Sequence, residues 1–551
     1  MLKRIVLVTL ILVLGSTLFV VGCGNSTQTT TSNPPTTSQN TNTPQTTTPA
    51  AEQPQSGGNL RVITFEPPSG ALGLPWKASG ATGSFINSSC IEGLVRANLA
   101  GKIYPKLATS WQWSSNQLSL TLNLRHNVKF HDGSDFNAQV AKWNMEQNIA
   151  AGVPGGSDID SIDIIDNYTI RVNLNAYSNV WLLELAGQGA GASLGYVISE
   201  QAYETNGEDW AAANPVGTGP FAFKSYELNQ SLDLTRFDGY WGDKPYIDGV
   251  KWSIIADQVT AEVSFQAGEG DVIWSPGAAS QLLKDLVPKG FPYEKTETGL
   301  NWILVASNGN PDSPWSNQLV MEAAEYAINK QKICQTIYGG YATPEYQVAT
   351  LYQNGYDPSI PKHEYDPDKA KQLLAQAGYP DGFSTTFYCG QQLNGDQIQA
   401  IQSDLAAIGI ETDIQILAPG KWVDLESNGW SDGINFTPQG SSAWPFYLQH
   451  YYIMPDQPSF AHQFWTTLKR PDDIESLIDK YFSISDFDQQ TAAGQEINKL
   501  MCKEELVIPL WLQVDGCVEA SNVHALNFGI NPEDGTPGGA LFDWTGVWLS
   551  K

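Results

Sequence analysis

Apolar and polar residues alternate at period two through much of the first half of this chain, a pattern that predicts half-buried antiparallel strands. "GGNLRVITFEPP" reads as a first strand over Leu60 to Phe65, closed by two prolines. "LSLTLNLRHNVKFHDG" (Leu118 to Gly133) alternates and then breaks at Asp-Gly, as an element of an antiparallel hairpin would. "IDIIDNYTIRVNLN" (Ile162 to Asn175) repeats the pattern around a turn at Asp166-Asn167, and "FAFKSYELNQSLDLTRF" (Phe221 to Phe237) makes a further hairpin. In the second half the spacing changes to three and four. "NQLVMEAAEYAINKQKICQTIY" (Asn317 to Tyr338) predicts one helix stopped by Gly339-Gly340. "DPDKAKQLLAQAG" predicts a helix with Asp366 as N-cap, Pro367 in the first turn and Gly378 at the stop. "GDQIQAIQSDLAAIGIETDIQIL" (Gly395 to Leu417) runs from helix through Gly409 into strand, the order of a βαβ unit. The chain is thus expected to be α/β, with hairpins concentrated in its first half.

A different pattern precedes the body. Lys3 and Arg4 are followed by an almost wholly apolar run, Ile5 to Val21, which ends in Gly22-Cys23. A basic start and an apolar core of this length read as a secretory leader. An uncleaved membrane anchor is the alternative, since a span needs about 20 apolar residues. Val20-Val21-Gly22-Cys23 resembles the bacterial lipobox, which implies cleavage before Cys23 and a lipid on its sulfur. From Gly24 to Gln55 the sequence is almost entirely Thr, Asn, Gln, Ser and Pro, with Glu52 its one charge. So few apolar groups cannot offset the entropy of ordering, so this segment is expected to be a disordered tether with a reach of about 30 Å. The expected limits are 1–22 for the leader and 23–56 for the lipidated cysteine and tether.

Charge narrows the class. Net −28 at pH 7, with 58 acidic against 30 basic residues, argues against nucleic acid and against lying flat on anionic lipid. Apart from Cys23, the cysteines Cys90, Cys334, Cys389, Cys502 and Cys517 are odd in number and show no CxxC pair. One or two disulfides are compatible with them, whereas zinc spacing is missing. Enzyme signatures are missing too. The six histidines form no HExxH, no G-x-S-x-G elbow occurs, and no cysteine sits in a nucleophile motif. A pair of glycosidase carboxylates cannot be picked out among so many acids. The 18 Trp and 22 Tyr are expected mainly in cores and lobe contacts, with a remainder free to line a cleft.

Two motifs look like chemistry and are read as scaffold. "NPVGTGPF" (Asn214 to Phe221) has no Lys-Ser/Thr after it and no helix opening there, so it is not a phosphate loop. Its glycines and prolines predict a tight backbone path, with positive φ open to the glycines. His131 and Asp132 of "FHDG" are read as turn chemistry with a satisfied histidine.

These strings together identify a resemblance. The chain is similar to the peptide/nickel-type solute-binding proteins of bacterial ABC importers, extracellular solute-binding family 5. Four blocks carry it in family order: Glu92 to Asn144 with "YPKLATSW" and "LRHNVKFHDG"; Asn214 to Ile255 with "NPVGTGPF" and "DGYWGDKPYIDGV"; the helix before "GGYATP" with "YDPDKAKQLLAQAGYPDGF"; and "IQSDLAAIGIETDIQ". The resemblance implies a two-lobe periplasmic-binding-protein fold with hinge-crossing strands and an extra β-rich subdomain in the first lobe. The expected limits are 57–297 for lobe I (91–209 for the subdomain), 298–511 for lobe II and 512–551 for the return to lobe I. Crossings are expected in "ETGLNWILVAS" (297–307) and "VIPLWLQVDG" (507–516).

The resemblance also implies a binder rather than an enzyme: a monomeric extracytoplasmic receptor, lipid-anchored to the cell membrane, that closes on a solute and presents it to permease subunits. No cofactor, metal or nucleic acid is expected. Peptide-binding relatives hold the peptide amine with an aspartate in the stretch matching Ser431 to Tyr452, where this chain has Ser441-Ser442-Ala443-Trp444. The arginine expected between Glu345 and Pro361 is also absent. The cleft is therefore expected to use Phe436, Gln439, Ser441, Ser442, Trp444 and Tyr447, with Phe65, Glu66, Trp76, Phe85 and Asn87 from the first lobe. Such aromatic, amide and hydroxyl groups leave a peptide, an oligosaccharide or another small organic solute open. The plain alternative is that Trp444 and Tyr447 pack the lobe. A surface sensory binding protein without its own permease is the second class of reading.

Overall fold

The two period patterns sort into two large sheets. A computed structural model describes residues 53–68, 70–77, 89–187, 193–393, 395–440, 442–452 and 467–551, with Pro54–Lys551 forming one compact unit. Cys23, the leader, the tether, Phe85, Asn87 and Ser441 lie outside the described residues. No helix among the described residues is long and apolar enough to cross a membrane.

The first sheet has seven strands in the order Phe221–Glu227, Ser231–Arg236, Gly249–Ile254, Asn59–Thr64, Val272–Ile273, Asp515–Glu519 and Tyr293–Thr296. Asn59–Thr64 is parallel to both of its neighbours, and the 221–236 hairpin is antiparallel as its alternation predicts. The second sheet has six strands in the order Ala342–Pro344, Ile508–Gln513, Asn301–Ala306, Ile434–Gln439, Phe383–Gly390 and Ile410–Leu417. Its last three strands are parallel, and helix Asp396–Ala406 makes the crossover from Phe383–Gly390 to Ile410–Leu417. Every residue of Asn301–Ala306 is buried. Trp302, Leu304 and Ala306 enter the core on one face and Ile303 and Val305 the core on the other, as befits a strand covered on both sides.

A four-stranded antiparallel sheet, in the order Ala108–Trp113, Ser119–Leu124, Thr169–Leu174, Ile159–Asp166, forms a further layer with helix Ala138–Ala150 and has its own core. Glu92 ties it to the first lobe. Its buried carboxylate is met by Lys106 Nζ at 2.9 Å, Thr218 Oγ1 at 2.8 Å, Tyr240 Oη at 3.0 Å and Trp241 Nε1 at 2.7 Å. Thr218 belongs to "NPVGTGPF" and Tyr240-Trp241 to "DGYWGD", so these motifs converge on one buried charge. The glycines of the first motif serve close approach rather than positive φ. A Cβ at Gly217 would lie 2.0 Å from Cys90 O, and one at Gly219 would lie 2.4 Å from Ser89 O. His131 is the satisfied histidine of the sequence reading: Nε2 is 3.0 Å from Gly219 O, and Asp132 accepts from Ser134 and Ser199.

Two expectations need correction. The helix predicted over 317–338 is two helices, Gln318–Ala327 and Lys330–Thr336, because Asn329 leaves helical geometry and its side chain accepts from Lys332 N at 3.0 Å as a new N-cap. The five described cysteines are all free thiols.

Candidate functional site

The chain passes from the first sheet to the second between Thr296 and Asn301, and back between Gln513 and Asp515. These two crossings touch, since a Cβ at Gly299 would lie 2.1 Å from Gln513 O. Beside them is a cavity of about 290 Å³. Lys295 and Glu297 line it from the crossing, Tyr352 from the second lobe, and Ile530, Thr536 and Pro537 from the returning hairpin of the first lobe. Its first-lobe wall is held in place: Asp534 accepts from Thr536 N at 3.0 Å and from the Tyr104 hydroxyl, and Asn98 Nδ2 reaches Thr536 Oγ1 at 3.0 Å. The wall carrying Tyr352 is held by Gln353, whose Oε1 accepts from Thr350 N at 2.7 Å and whose Nε2 donates to Ser442 O at 2.6 Å.

At this end of the second sheet one cross-strand row runs Thr343, Leu512, Asn301, Gln439, each opposite the next. Asn301 is 1% and Gln439 0% exposed, and neither side-chain amide has a hydrogen-bond partner on oxygen or nitrogen among the described residues. Buried amides are rarely left so, because each unmet polar group costs about 1–3 kcal/mol. Gln513, on the opposite face, shows the ordinary state: it accepts from Trp302 Nε1 at 3.0 Å and donates to Gly277 O at 2.9 Å. Two residues beyond Thr343, just past the end of its strand, is Glu345. Its backbone pairs with Leu510 O and Lys330 Nζ, while its carboxylate makes no hydrogen bond or ion pair among the described residues. Burial pushes this carboxyl up to about 8, opposed by Lys330, assisted by Glu297 and opposed by Lys362. Tyr352 is raised by burial and by the charge of Glu297.

The site residues expected from sequence divide. Gln439 is in the row, and Ser442, 5% exposed, anchors the Tyr352 loop through its carbonyl. Phe436 is instead stacked on Trp302 at 4.6 Å inside the second-lobe core. Trp444 is fully buried, with Gly355 and Gly494 against its ring and Tyr447 stacked at 5.4 Å, so both aromatics pack the lobe. Trp76 meets Trp143 and Tyr203 edge-on at 6.1 and 6.2 Å, between the first-lobe core and the subdomain core. Phe65 packs on the cluster of Ile63 and Phe265, and Glu66 is exposed with its carboxyl raised by partial burial. Asn301, Glu345, Glu297 and Tyr352 were not among the residues expected from sequence; of these Glu297 and Tyr352 line the cavity. Asn301 carried a signal, as a polar residue opening an otherwise apolar strand.

Elsewhere in the second lobe, Glu325, His363 and Glu505 bring donor atoms within 4.8 Å of one another. Lys330 Nζ forms a buried ion pair with Glu325 at 2.9 Å, and His363 Nδ1 lies 3.3 Å from Glu325 and 3.5 Å from Glu505.

Comparison with known proteins comes to the same fold. Residues 102–467 match the family model described as bacterial extracellular solute-binding proteins, family 5 middle. The glutathione-binding protein GsiB of Salmonella typhimurium is 28% identical over 489 residues, covering 84% of this chain and 90% of the relative. The periplasmic binding protein DppA of Helicobacter pylori, solved with peptide STSA, superposes with a TM-score of 0.70 at 24% identity over 90% of this chain and 99% of that one. NikA of Brucella suis, solved with Fe(III)-EDTA, superposes with a TM-score of 0.75 at 20% identity over 89% and 100%.

Proposed function

The chain belongs to the bacterial extracellular solute-binding proteins of family 5, and from that premise we propose that it captures a peptide or a similar small organic solute in the cleft beside its two crossings and delivers it to a membrane permease. The family's work is binding for transport rather than catalysis. The observation that carries the reading is the cavity of about 290 Å³ walled by both lobes and by the crossing itself. A solute there touches the parts that move relative to one another, so its binding favours whichever lobe arrangement it contacts better. Lipid on Cys23 and the tether after it would keep the receptor at the membrane, acting as a monomer.

An oligosaccharide reading relied on Trp444 as a stacking face. That ring is covered by Gly355, Gly494 and Tyr447, which leaves the peptide reading better supported. The glutathione and peptide named for relatives are also chemistry of the amide kind. Native mass spectrometry of protein purified without denaturation tests this directly. The expected result is a bound mass built of amino-acid residues. Hexose increments would restore the carbohydrate reading, and a chemically altered ligand would reopen catalysis.

A further inference from the structure

We propose that Asn98 is a positioning residue for solute capture: from a turn of the subdomain it fixes the Thr536–Pro537 wall of the cavity and, through the apolar contact that turn makes, keeps this wall in register with the second-lobe loop that bears Tyr352. This rests on the cavity beside the crossings being the solute site, and it identifies what holds that site's shape.

Asn98 opens the turn between the paired strands Val95–Ala97 and Ile103–Pro105 and is only 3% exposed. Its side-chain amide has two tasks. Oδ1 accepts from Lys102 N at 2.9 Å and closes the turn, where Gly101 N also donates to Asn98 O at 3.0 Å. Nδ2 serves the returning hairpin of the first lobe, reaching Thr536 Oγ1 at 3.0 Å and Asp534 Oδ2 at 3.3 Å. The next residue adds a backbone bond, Leu99 N to Pro537 O at 3.2 Å. Thr536 and Pro537 both line the cavity. A carboxylate in place of this amide would keep the turn and lose the wall, because it has no donor to offer and would stand against Asp534.

The same turn reaches the second lobe. Ala97 belongs to the apolar cluster that holds Ala443 and Phe446, and Ile103 packs on that cluster. A Cβ on Gly101, within the turn, would stand 3.6 Å from Ala443 Cβ, an ordinary packing distance. The residue before Ala443 is Ser442, whose carbonyl accepts from Gln353 Nε2 at 2.6 Å. Gln353 Oε1 in turn accepts from Thr350 N at 2.7 Å, which shapes the loop that presents Tyr352 to the cavity. Each step from Thr536 to Tyr352 is therefore a direct contact or a neighbour in sequence. The cavity's two side walls have a connection besides the crossings, and it runs through Asn98. Close-packed contacts transmit displacement, and a coupling between two sites acts equally in both directions.

Hydrogen exchange on the full, ligand-free chain tests this without knowledge of the solute. Asn98→Asp should speed exchange of the Asn531, Gly535 and Thr536 amides beside it. Across the cleft, it should also speed that of the hydrogen-bonded Thr350 and Gln353 amides, by about tenfold. Gln353→Leu should do the reverse, loosening Asn531, Gly535 and Thr536 from the second lobe, and it decides alone if Asn98→Asp does not fold. Asp366→Ala, a helix-cap change elsewhere in the second lobe, controls for general loss of stability and should leave both segments at the parent rate. Titration with trialanine should find Asn98→Asp about tenfold weaker than the parent. Faster exchange confined to the segment beside each substitution would overturn the inference, and so would coupled exchange with unchanged trialanine affinity. A parent protein that does not bind trialanine would count against the peptide reading instead, and the exchange pattern alone would then decide this one.

Discussion

Glu184 is enclosed in the short helix Trp181–Ala186, and its Oε1 has no hydrogen-bond partner among the described residues. Burial, with a smaller push from Asp158, raises its carboxyl to about 8. An ordinary glutamate ionises near pH ~4.3 in the unfolded chain. Between the two values unfolding releases a proton, so the stability this group contributes is intact at low pH and is lost as pH climbs through about 8. Glu184→Gln keeps the shape and removes the titration. We expect its melting temperature to match the parent at pH 4 and to exceed it by a few degrees at pH 8; a gap that stays constant with pH would refute the assignment. Single residues of this kind were not legible in the sequence, because a buried and an exposed glutamate are written alike. The same holds for Trp444: its role depends on Gly355 and Gly494, distant in sequence, lying against its ring. Gln439 and Ser442 were expected at the cleft because their stretch matched a family pattern; the structure puts Gln439 in a buried cross-strand row and Ser442 behind the Tyr352 loop.

Elements were more legible, since their signals are local. Helix Pro367–Gln376 begins where Asp366 and Pro367 say it should, with Asp366 Oδ1 accepting from Lys369 N at 3.0 Å. Asp366→Ala removes that cap and should cost about 1 kcal/mol, read as a lower urea midpoint at unchanged slope. Asp366→Asn should restore most of it; an Asn variant as weak as the Ala variant would mean that the charge, not the cap, matters. Period-two alternation likewise located the 159–174 and 221–236 hairpins, which pair as antiparallel neighbours. The miss at 328–329 has a plain cause. Apolar spacing continues through Ile328, but Asn329 offers its own side chain to Lys332 N, and that local bond outcompetes the continuing helix. The glycines of "NPVGTGPF" were seen, but their reason, room for the 89–91 backbone, is a tertiary fact.

At the scale of the molecule, the β-rich subdomain and the second lobe meet away from the crossings. Asn179 N donates to Phe482 O at 2.9 Å and Asn179 Nδ2 to Tyr481 O at 2.8 Å, while Gln117 Nε2 reaches Ser485 Oγ at 2.8 Å. Beside them Ala97, Val180 and Leu183 of the subdomain share one apolar cluster with Ala443 and Phe446 of the second lobe. These contacts join the subdomain to the second lobe, and a separation of the two there would break them. If the lobes open to release solute, as the proposed function requires, the contacts favour the closed arrangement whether or not solute is bound. Removing them shifts the balance toward the open form and weakens capture without touching the cavity lining. We expect Asn179→Ala combined with Phe446→Ala to enlarge the radius of gyration of the ligand-free protein in small-angle scattering. The same change should raise the solute off-rate about tenfold, equivalent to about 1.4 kcal/mol, with the on-rate nearly unchanged. A faster off-rate without expansion would place the effect on the cavity through the helix that carries Phe446. Expansion without a faster off-rate would mean that the solute's own contacts suffice to keep the lobes shut.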